Sequence, residues 1–215
     1  MKYRTALFDL DGTLLNTLDD LSSSVNFALS SFGYPARTRE EVCAFVGNGV
    51  KKLIERALPA GAQNFNEVFS CFLSHYGEHC NDSTKPYEGI LPVLRQLKER
   101  GVGLAIVSNK AHAAVQTLKK LYFDGLVDVA IGENEAGGVR KKPAPDSVFQ
   151  AMAWLHADPA TTVYIGDSDV DIETAKNARL PCISVLWGFR DRAFLEASGA
   201  TCFVKKTEEL LNFFV

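Results

Sequence analysis

Asp9 and Asp11 stand two residues apart in the string Asp9-Leu10-Asp11-Gly12-Thr13, directly behind the apolar run Ala6-Leu7-Phe8. Such a run reads as a short buried strand, so both carboxylates arrive where the chain leaves a sheet. Ligands of open α/β sheets bind outside the carboxyl ends of the strands. Two like charges this close repel unless a cation or a proton sits between them. A hard cation with oxygen ligands, Mg2+ above all, suits the place. Asp and Gly are also common in plain turns, but the six-residue string Phe8–Thr13 with its apolar lead-in is more specific than a bare Asp-x-Asp, and what else shares its rim tests the reading.

Three further groups do. Ser108-Asn109-Lys110 follow the apolar stretch 103–107, and a helix is expected to start there. Hydroxyl, amide and backbone N–H groups at a helix N-terminus can cradle a phosphate, although Ser-Asn is equally an ordinary N-cap. Arg140-Lys141-Lys142-Pro143-Ala144-Pro145 forms a loop stiffened by its prolines. A lysine held in such a loop can act as a point cation on phosphate; a solvated basic loop is the plainer reading. Gly166-Asp167-Ser168-Asp169-Val170-Asp171 follows the apolar stretch 162–165. Acids crowded behind a buried strand suggest a metal site, while a helix dipole also favours acids at its N-terminus.

The elements that must position these groups are readable from periodicity. Strands are expected at 6–8, 103–107, near 127–131, at 163–165, at 183–186 and near 202–204, with helices at 90–97, 111–121, 146–156, near 172–178 and at 208–214. Near-continuous apolar strands alternating with helices indicate a parallel sheet covered on both faces. Between the first strand and that alternation, 19–80 reads as helix after helix. Leu21, Val25, Ala28, Leu29 and Phe32 share one helical face that stops at Gly33. Thr38 and Glu41 have capping-box spacing. Gly47-Asn48-Gly49 breaks the second helix, Val50 to Leu58 carries the third and Phe65 to Tyr76 the fourth, and 81–86 is the return linker. The expected fold class is α/β: a doubly wound, Rossmann-like parallel-sheet core (1–15 and 85–215) with an inserted all-helical cap (16–84). The four chemical groups then lie on one rim of the sheet, where independent accidents would scatter over both.

The bulk numbers exclude some classes. The 215 residues carry a net charge of -3 and a pI near 5.8, which argues against a nucleic-acid surface. No apolar run approaches the roughly 20 residues of a membrane helix, and the N-terminal run is too short for a signal peptide, with Asp9 interrupting it. The five cysteines are scattered without Cys-x-x-Cys spacing and read as small core residues of a reducing compartment. A soluble, cytoplasmic protein is expected, monomeric or weakly dimeric, with no nucleic-acid or membrane partner.

The order of the four groups resembles the four motifs of the haloacid dehalogenase superfamily of phosphotransferases. That resemblance spans essentially the whole chain and implies roles. Asp9 would be the nucleophile and Asp11 the general acid/base. Ser108 would supply the second-motif hydroxyl, Lys142 the third-motif lysine and Asp167 the fourth-motif metal ligand, with Asp171 supporting the metal shell. Lys142 is preferred to Lys141 because the family places its lysine directly before proline. Mg2+ would sit on the Asp9 carboxylate, the Asp11 backbone carbonyl and Asp167. Gly12, Thr13, Asn109, Ser108 and Lys142 would hold the phosphate. The helical insert resembles the family's cap of the first type. Phe45-Val46-Gly47-Asn48-Gly49, Pro86-Tyr87-Glu88-Gly89-Ile90 and Lys142-Pro143-Ala144-Pro145 resemble phosphoglycolate phosphatases more closely.

The implied reaction is hydrolysis of a small anionic phosphate monoester, with phosphoglycolate first and pyrophosphate or a broad substrate range next. On this reading the cap loop Gly47-Asn48-Gly49, with Lys51 and Lys52 nearby, closes over the core and binds the substrate's second anion. Two other classes fit the same fold. A phosphomutase, such as one acting on a hexose phosphate, would return the phosphate to sugar. A receiver-type phosphoacceptor domain would retain it, but it would need neither the second aspartate nor the large cap.

Overall fold

The structure, a computed structural model, describes residues 2–215. The chain divides into two compact units, one made of residues up to Leu14 together with Pro86–Val215, the other Leu15–Lys85.

In the larger unit, strand β1 (Thr5–Phe8) is buried along its whole length. The two-residue strands β2 (Leu15–Asn16) and β3 (Lys85–Pro86) pair with each other where the chain passes from one unit to the other and returns. Then follow β4 (Gly103–Ala111), β5 (Val129–Glu133), β6 (Thr162–Gly166), β7 (Cys182–Val185) and β8 (Phe203–Val204). Six of these strands form one sheet in the order β5-β4-β1-β6-β7-β8, every pairing parallel. Counting core strands alone, that is the doubly wound order, and the crossovers reverse direction beside β1. The carboxyl end of β1 is therefore the switch point, and Asp9 and Asp11 leave from it. The expected α/β class is what the structure shows.

The smaller unit is helical: α1 (Leu18–Ser31), α2 (Arg39–Phe45), α3 (Val50–Ala57) and α4 (Phe65–His79). The apolar face of α1 is buried at Leu21, Val25, Ala28 and Leu29, but Phe32, expected on the same face, is the C-cap residue and is exposed because the helix ends at Ser31. The Thr38–Glu41 capping box forms: Thr38 Oγ1 accepts from Glu41 N at 3.2 Å and Glu41 Oε2 accepts from Thr38 N at 2.8 Å. Helix α1 meets α4 through a Ser24 Oγ–His75 Nδ1 hydrogen bond of 3.0 Å and a Phe27–His75 ring stack. Buried Asp20 accepts from Ser83 N and Thr84 N, both at 2.8 Å, and so fixes the return linker.

The larger unit continues with α5 (Ile90–Glu99), α6 (His112–Tyr122), α7 (Asp146–Trp154), α8 (Asp169–Asn177) and α9 (Arg192–Ala197). Leu7, Ala105, Val107 and Tyr164 on the strands pack with Val148, Ala151 and Met152 of α7 and Ala175 of α8 in one buried cluster.

Several expectations need correction. Strand β4 does not stop at Val107 but runs through Ser108, Asn109 and Lys110 to Ala111, its register shifting after Val107. Helix α6 starts only at His112, so Ser108 is not at a helix N-terminus. Strand β5 starts two residues later than expected because Phe123–Val127 closes a turn, with Val127 N donating to Phe123 O. Helix α8 starts earlier, at Asp169, because Ser168 caps it. Helix α9, which periodicity did not reveal, is capped by the Asp191 carboxylate on Phe194 N at 2.8 Å. The C-terminal helix is a 3-10 helix, Thr207–Phe213; Phe213 O accepts from Tyr3 N and Val215 N donates to Tyr3 O, which draws the last residues into an extended bridge. All five cysteines are free and half-buried, and of these Cys182 packs against the core cluster. Among the described residues no helix is long and apolar enough to cross a membrane.

Candidate active site

Asp9 directly follows β1, and its backbone N–H donates to Ile165 O at 2.9 Å, so the sheet itself aims this residue. Its carboxylate is buried, and Oδ1 accepts from Lys142 Nζ at 2.6 Å. Lys142 is buried as well and also donates to Asp171 Oδ1 at 2.8 Å and to the Tyr164 hydroxyl at 3.1 Å. Its backbone is clipped by Asn109, whose Oδ1 accepts from Lys142 N at 2.7 Å and whose Nδ2 donates to Lys142 O at 3.0 Å. Asn109 therefore aims the lysine loop; both ends of its amide are engaged on backbone. Lys142, not the half-exposed Lys141, faces the acids.

Asp167 follows β6 and is 1% exposed. Thr13 Oγ1 donates to its Oδ1 at 3.2 Å and Phe189 N to its Oδ2 at 2.7 Å. Two glycines make room for this carboxylate. A Cβ on Gly12, whose φ is +94°, would lie 2.3 Å from Asp167 Oδ2, and a Cβ on Gly188 would lie 2.3 Å from Asp167 Cβ. Gly12 and the Thr13 hydroxyl thus act on Asp167. Asp171, inside the first turn of α8, accepts at Oδ2 from Asp167 N (3.2 Å), Ser168 N (3.1 Å) and Ser168 Oγ (2.6 Å).

The carboxylate oxygens of Asp9, Asp167 and Asp171 lie within 4.8 Å of one another and could hold a metal ion. Three buried acids face the one ammonium of Lys142, and the titration behaviour follows. Burial pushes the Asp9 carboxyl well above the usual carboxylate range; Lys142 pulls it down, while the charges of Asp171 and Asp167 add to the rise. Burial, then the Asp171 charge, pushes Asp167 up to about 7. For Lys142, burial works against the charged form, but Asp171 and Asp9 outweigh it and hold the ammonium well above the ordinary lysine range. A dication placed among these acids would relieve the same excess of negative charge.

Asp11 stands apart from this cluster. Its side chain turns to Lys110, whose Nζ donates to Asp11 Oδ1 at 3.0 Å. Ser108 is buried, and its Oγ accepts from Lys110 N at 3.1 Å. The loop Gly47-Asn48-Gly49 lies in the helical unit, between α2 and α3, with Gly47 and Gly49 at positive φ. Arg56 braces it, donating to Phe45 O and to Asn48 Oδ1, each at 2.7 Å.

Residues 6–185 match the family model described as haloacid dehalogenase-like hydrolase. The chain belongs to the haloacid dehalogenase-like hydrolases. A phosphoglycolate phosphatase of Aquifex aeolicus is 34% identical over 188 residues, 86% of each chain. The pyrophosphatase PpaX of Bacillus mycoides is 31% identical over 212 residues, 98% of this chain and 96% of that one. A solved structure from Lactobacillus delbrueckii subsp. bulgaricus, provisionally named a phosphoglycolate phosphatase, superposes with a TM-score of 0.93 at 38% identity, covering 98% of this chain and 97% of that one. This member of the haloacid dehalogenase-like hydrolases is accordingly an enzyme, similar to phosphoglycolate phosphatases and to a pyrophosphatase.

Four residues of its site went unassigned in the sequence. Tyr164 looks like one more apolar strand residue, yet its hydroxyl supports Lys142. Lys110 sits in the quoted Ser108-Asn109-Lys110 string, and its buried ammonium could have been suspected from the apolar strand ahead of it. Gly188 and Trp187, whose Nε1 donates to Thr13 O at 3.0 Å, follow β7 with no motif to mark them.

Proposed function

We propose that this chain is a Mg2+-dependent phosphatase that hydrolyses 2-phosphoglycolate through an aspartyl phosphate on Asp9. The observation that carries the reading is the buried Asp9 carboxylate at the switch point of the sheet, 2.6 Å from Lys142 Nζ, with a second acid two residues further on.

Phosphoryl transfer requires an in-line nucleophile, an acid for the leaving group and compensation for the charge on the equatorial oxygens. In this mechanism an Asp9 carboxylate oxygen attacks phosphorus as the ester P–O bond breaks. Asp11 gives its proton to the departing alkoxide, then takes one from the water that cleaves the acyl phosphate. Lys142 neutralises charge on the transferred group, and Ser108 is the hydroxyl assigned to it. Asp171 and Tyr164 hold Lys142 at its aim. The donor set fits Mg2+: all-oxygen, anionic and hydrogen-bonded from behind by Thr13 and Phe189. Asp9 and Asp167 would hold the ion, which when bound supplies a Lewis acid for the phosphoryl oxygens. Asp171 serves the site through Lys142 and the turn.

Phosphoglycolate is preferred because relatives 34% and 28% identical to this chain over the matched residues are named for that activity. Pyrophosphate is the second reading, favoured by the near full-length similarity to PpaX. Phosphate release from phosphoglycolate, pyrophosphate, ethyl phosphate and hexose phosphates, with Mg2+ and with chelator, separates these readings. Mg2+-dependent release, fastest from phosphoglycolate and abolished in Asp9→Asn, is expected. Full activity in excess chelator, or a trapped acyl phosphate on another residue, would overturn the mechanism.

A further inference from the structure

Two buried lysines divide the two aspartates of the first motif between them. Lys142 serves Asp9. Lys110, whose side chain is 4% exposed, serves Asp11 from 99 residues away along the chain. A buried ammonium is costly unless it is paired in good geometry, so this placement calls for a reason.

The backbone around Lys110 is tightly fixed. It lies in the part of β4 where the register with β5 shifts. Its N–H donates to Ser108 Oγ, and its carbonyl packs so close to Gly132 that a Cβ there would lie 2.5 Å from Lys110 O. Asp11, by contrast, stands on the turn made by Gly12, with its side chain 18% exposed. A carboxylate on such a turn has several staggered rotamers open to it. The fixed element is the lysine and the free one is the acid, so the lysine chooses the acid's rotamer.

We propose that Lys110 is a positioning residue for Asp11: it holds the carboxyl group that exchanges the proton with the leaving group at a single aim. The inference rests on the acid/base reading of Asp11 given above and adds a second cation to the site's machinery. Orientation of an acid matters most where the proton is most needed. An alkoxide leaves poorly without a proton, whereas p-nitrophenolate leaves without help.

The experiment compares kcat/KM for ethyl phosphate and p-nitrophenyl phosphate, a quantity that reports on the reaction only up to release of the alcohol. Wild type, Lys110→Met, Lys110→Gln, Asp11→Asn and the double variant Lys110→Met/Asp11→Asn are measured, with circular dichroism to check the fold. Lys110→Met is expected to lose at least about tenfold more on ethyl phosphate than on p-nitrophenyl phosphate. The double variant should be no worse than Asp11→Asn on the ethyl ester, because the lysine acts through the acid. If Asp11→Asn discriminates between the esters and Lys110→Met loses equally on both, the lysine contacts phosphate or merely supports the fold, and the proposal falls alone. If Asp11→Asn itself shows no discrimination, the acid/base reading falls and takes the proposal with it. Should Lys110→Met fail to fold, the same comparison on Lys110→Gln decides.

Discussion

Lys142 is the most heavily partnered cation of the site, with Asp9, Asp171 and Tyr164 around its ammonium. Lys142→Ala removes a charge that faces the transferring phosphoryl group, and the loss of one such donor typically costs about 3–4 kcal/mol of transition-state stabilisation. It also leaves Asp9 and Asp171 buried without their cation, so the melting temperature should fall too. Lys141→Ala should be mild in both respects, since Lys141 is half-exposed. Steady-state rates and thermal melts of the two variants check this, and the reverse ranking would move the motif by one residue. Gly12 is constrained twice, by φ +94° and by Asp167 at 2.3 Å from any Cβ. Gly12→Ala should therefore displace the Asp167 carboxylate and weaken Mg2+ binding, read by calorimetry, more than it weakens the fold.

At the scale of elements, the loop ahead of α3 tests the choice of substrate. Gly49 has φ +82°, a backbone region that a β-branched residue enters only with strain, and Arg56 ties the loop to Phe45 O and Asn48. If the loop reads a second anion, wild type should favour phosphoglycolate over ethyl phosphate by at least about tenfold in kcat/KM, about 1.4 kcal/mol. Gly49→Val and Arg56→Met should each erase most of that preference while leaving ethyl phosphate turnover near the wild-type rate; equal rates on both esters in wild type would make the protein a broad-range phosphatase. The sequence made these elements readable where periodicity or capping dominates. The Thr38–Glu41 box, the buried β1 and the α1 stripe from Leu21 to Leu29 appear as expected, whereas Phe32 lies beyond the helix and is exposed. It misled where tertiary contacts override local pattern. Ser108-Asn109-Lys110 has cap chemistry, yet pairing with β5 resumes at Ala111↔Glu133 and keeps it extended. Phe213 has helical neighbours, yet Tyr3 draws its carbonyl away. The family resemblance assigns Asn109 and Thr13 to the phosphate, and the structure adds that their side chains are engaged on Lys142 and Asp167. No local signal distinguishes a residue that touches a ligand from one that aims its neighbour.

For the whole molecule, the acid cluster ties folding to pH and to the metal. Asp167 holds its proton up to about 7, whereas its ordinary carboxyl pKa is 3.8. Between those values the native state binds a proton that the unfolded chain has already lost. Its stability contribution is therefore complete at low pH, declines as pH rises from about 4 to about 7, and is level above that. Asp9, raised in the same direction, steepens the decline. Asp146, held below the usual carboxylate range by Arg140, has the opposite sign, but it titrates beneath this window. Mg2+ should replace the proton, so its stabilising effect should grow with pH and reach about 2.7 kcal/mol at a free concentration a hundred times its dissociation constant. Urea unfolding at pH 5 and pH 8, in chelator and in excess Mg2+, measures all four corners. The chelated protein should be less stable at pH 8 than at pH 5, and Mg2+ should close most of that gap. In Asp167→Asn the pH slope should flatten and the Mg2+ increment should shrink. A chelated wild type that is more stable at pH 8 would mean that Lys142 keeps the cluster ionised by itself. In that case the case for a cation among Asp9, Asp167 and Asp171 would lose its electrostatic basis.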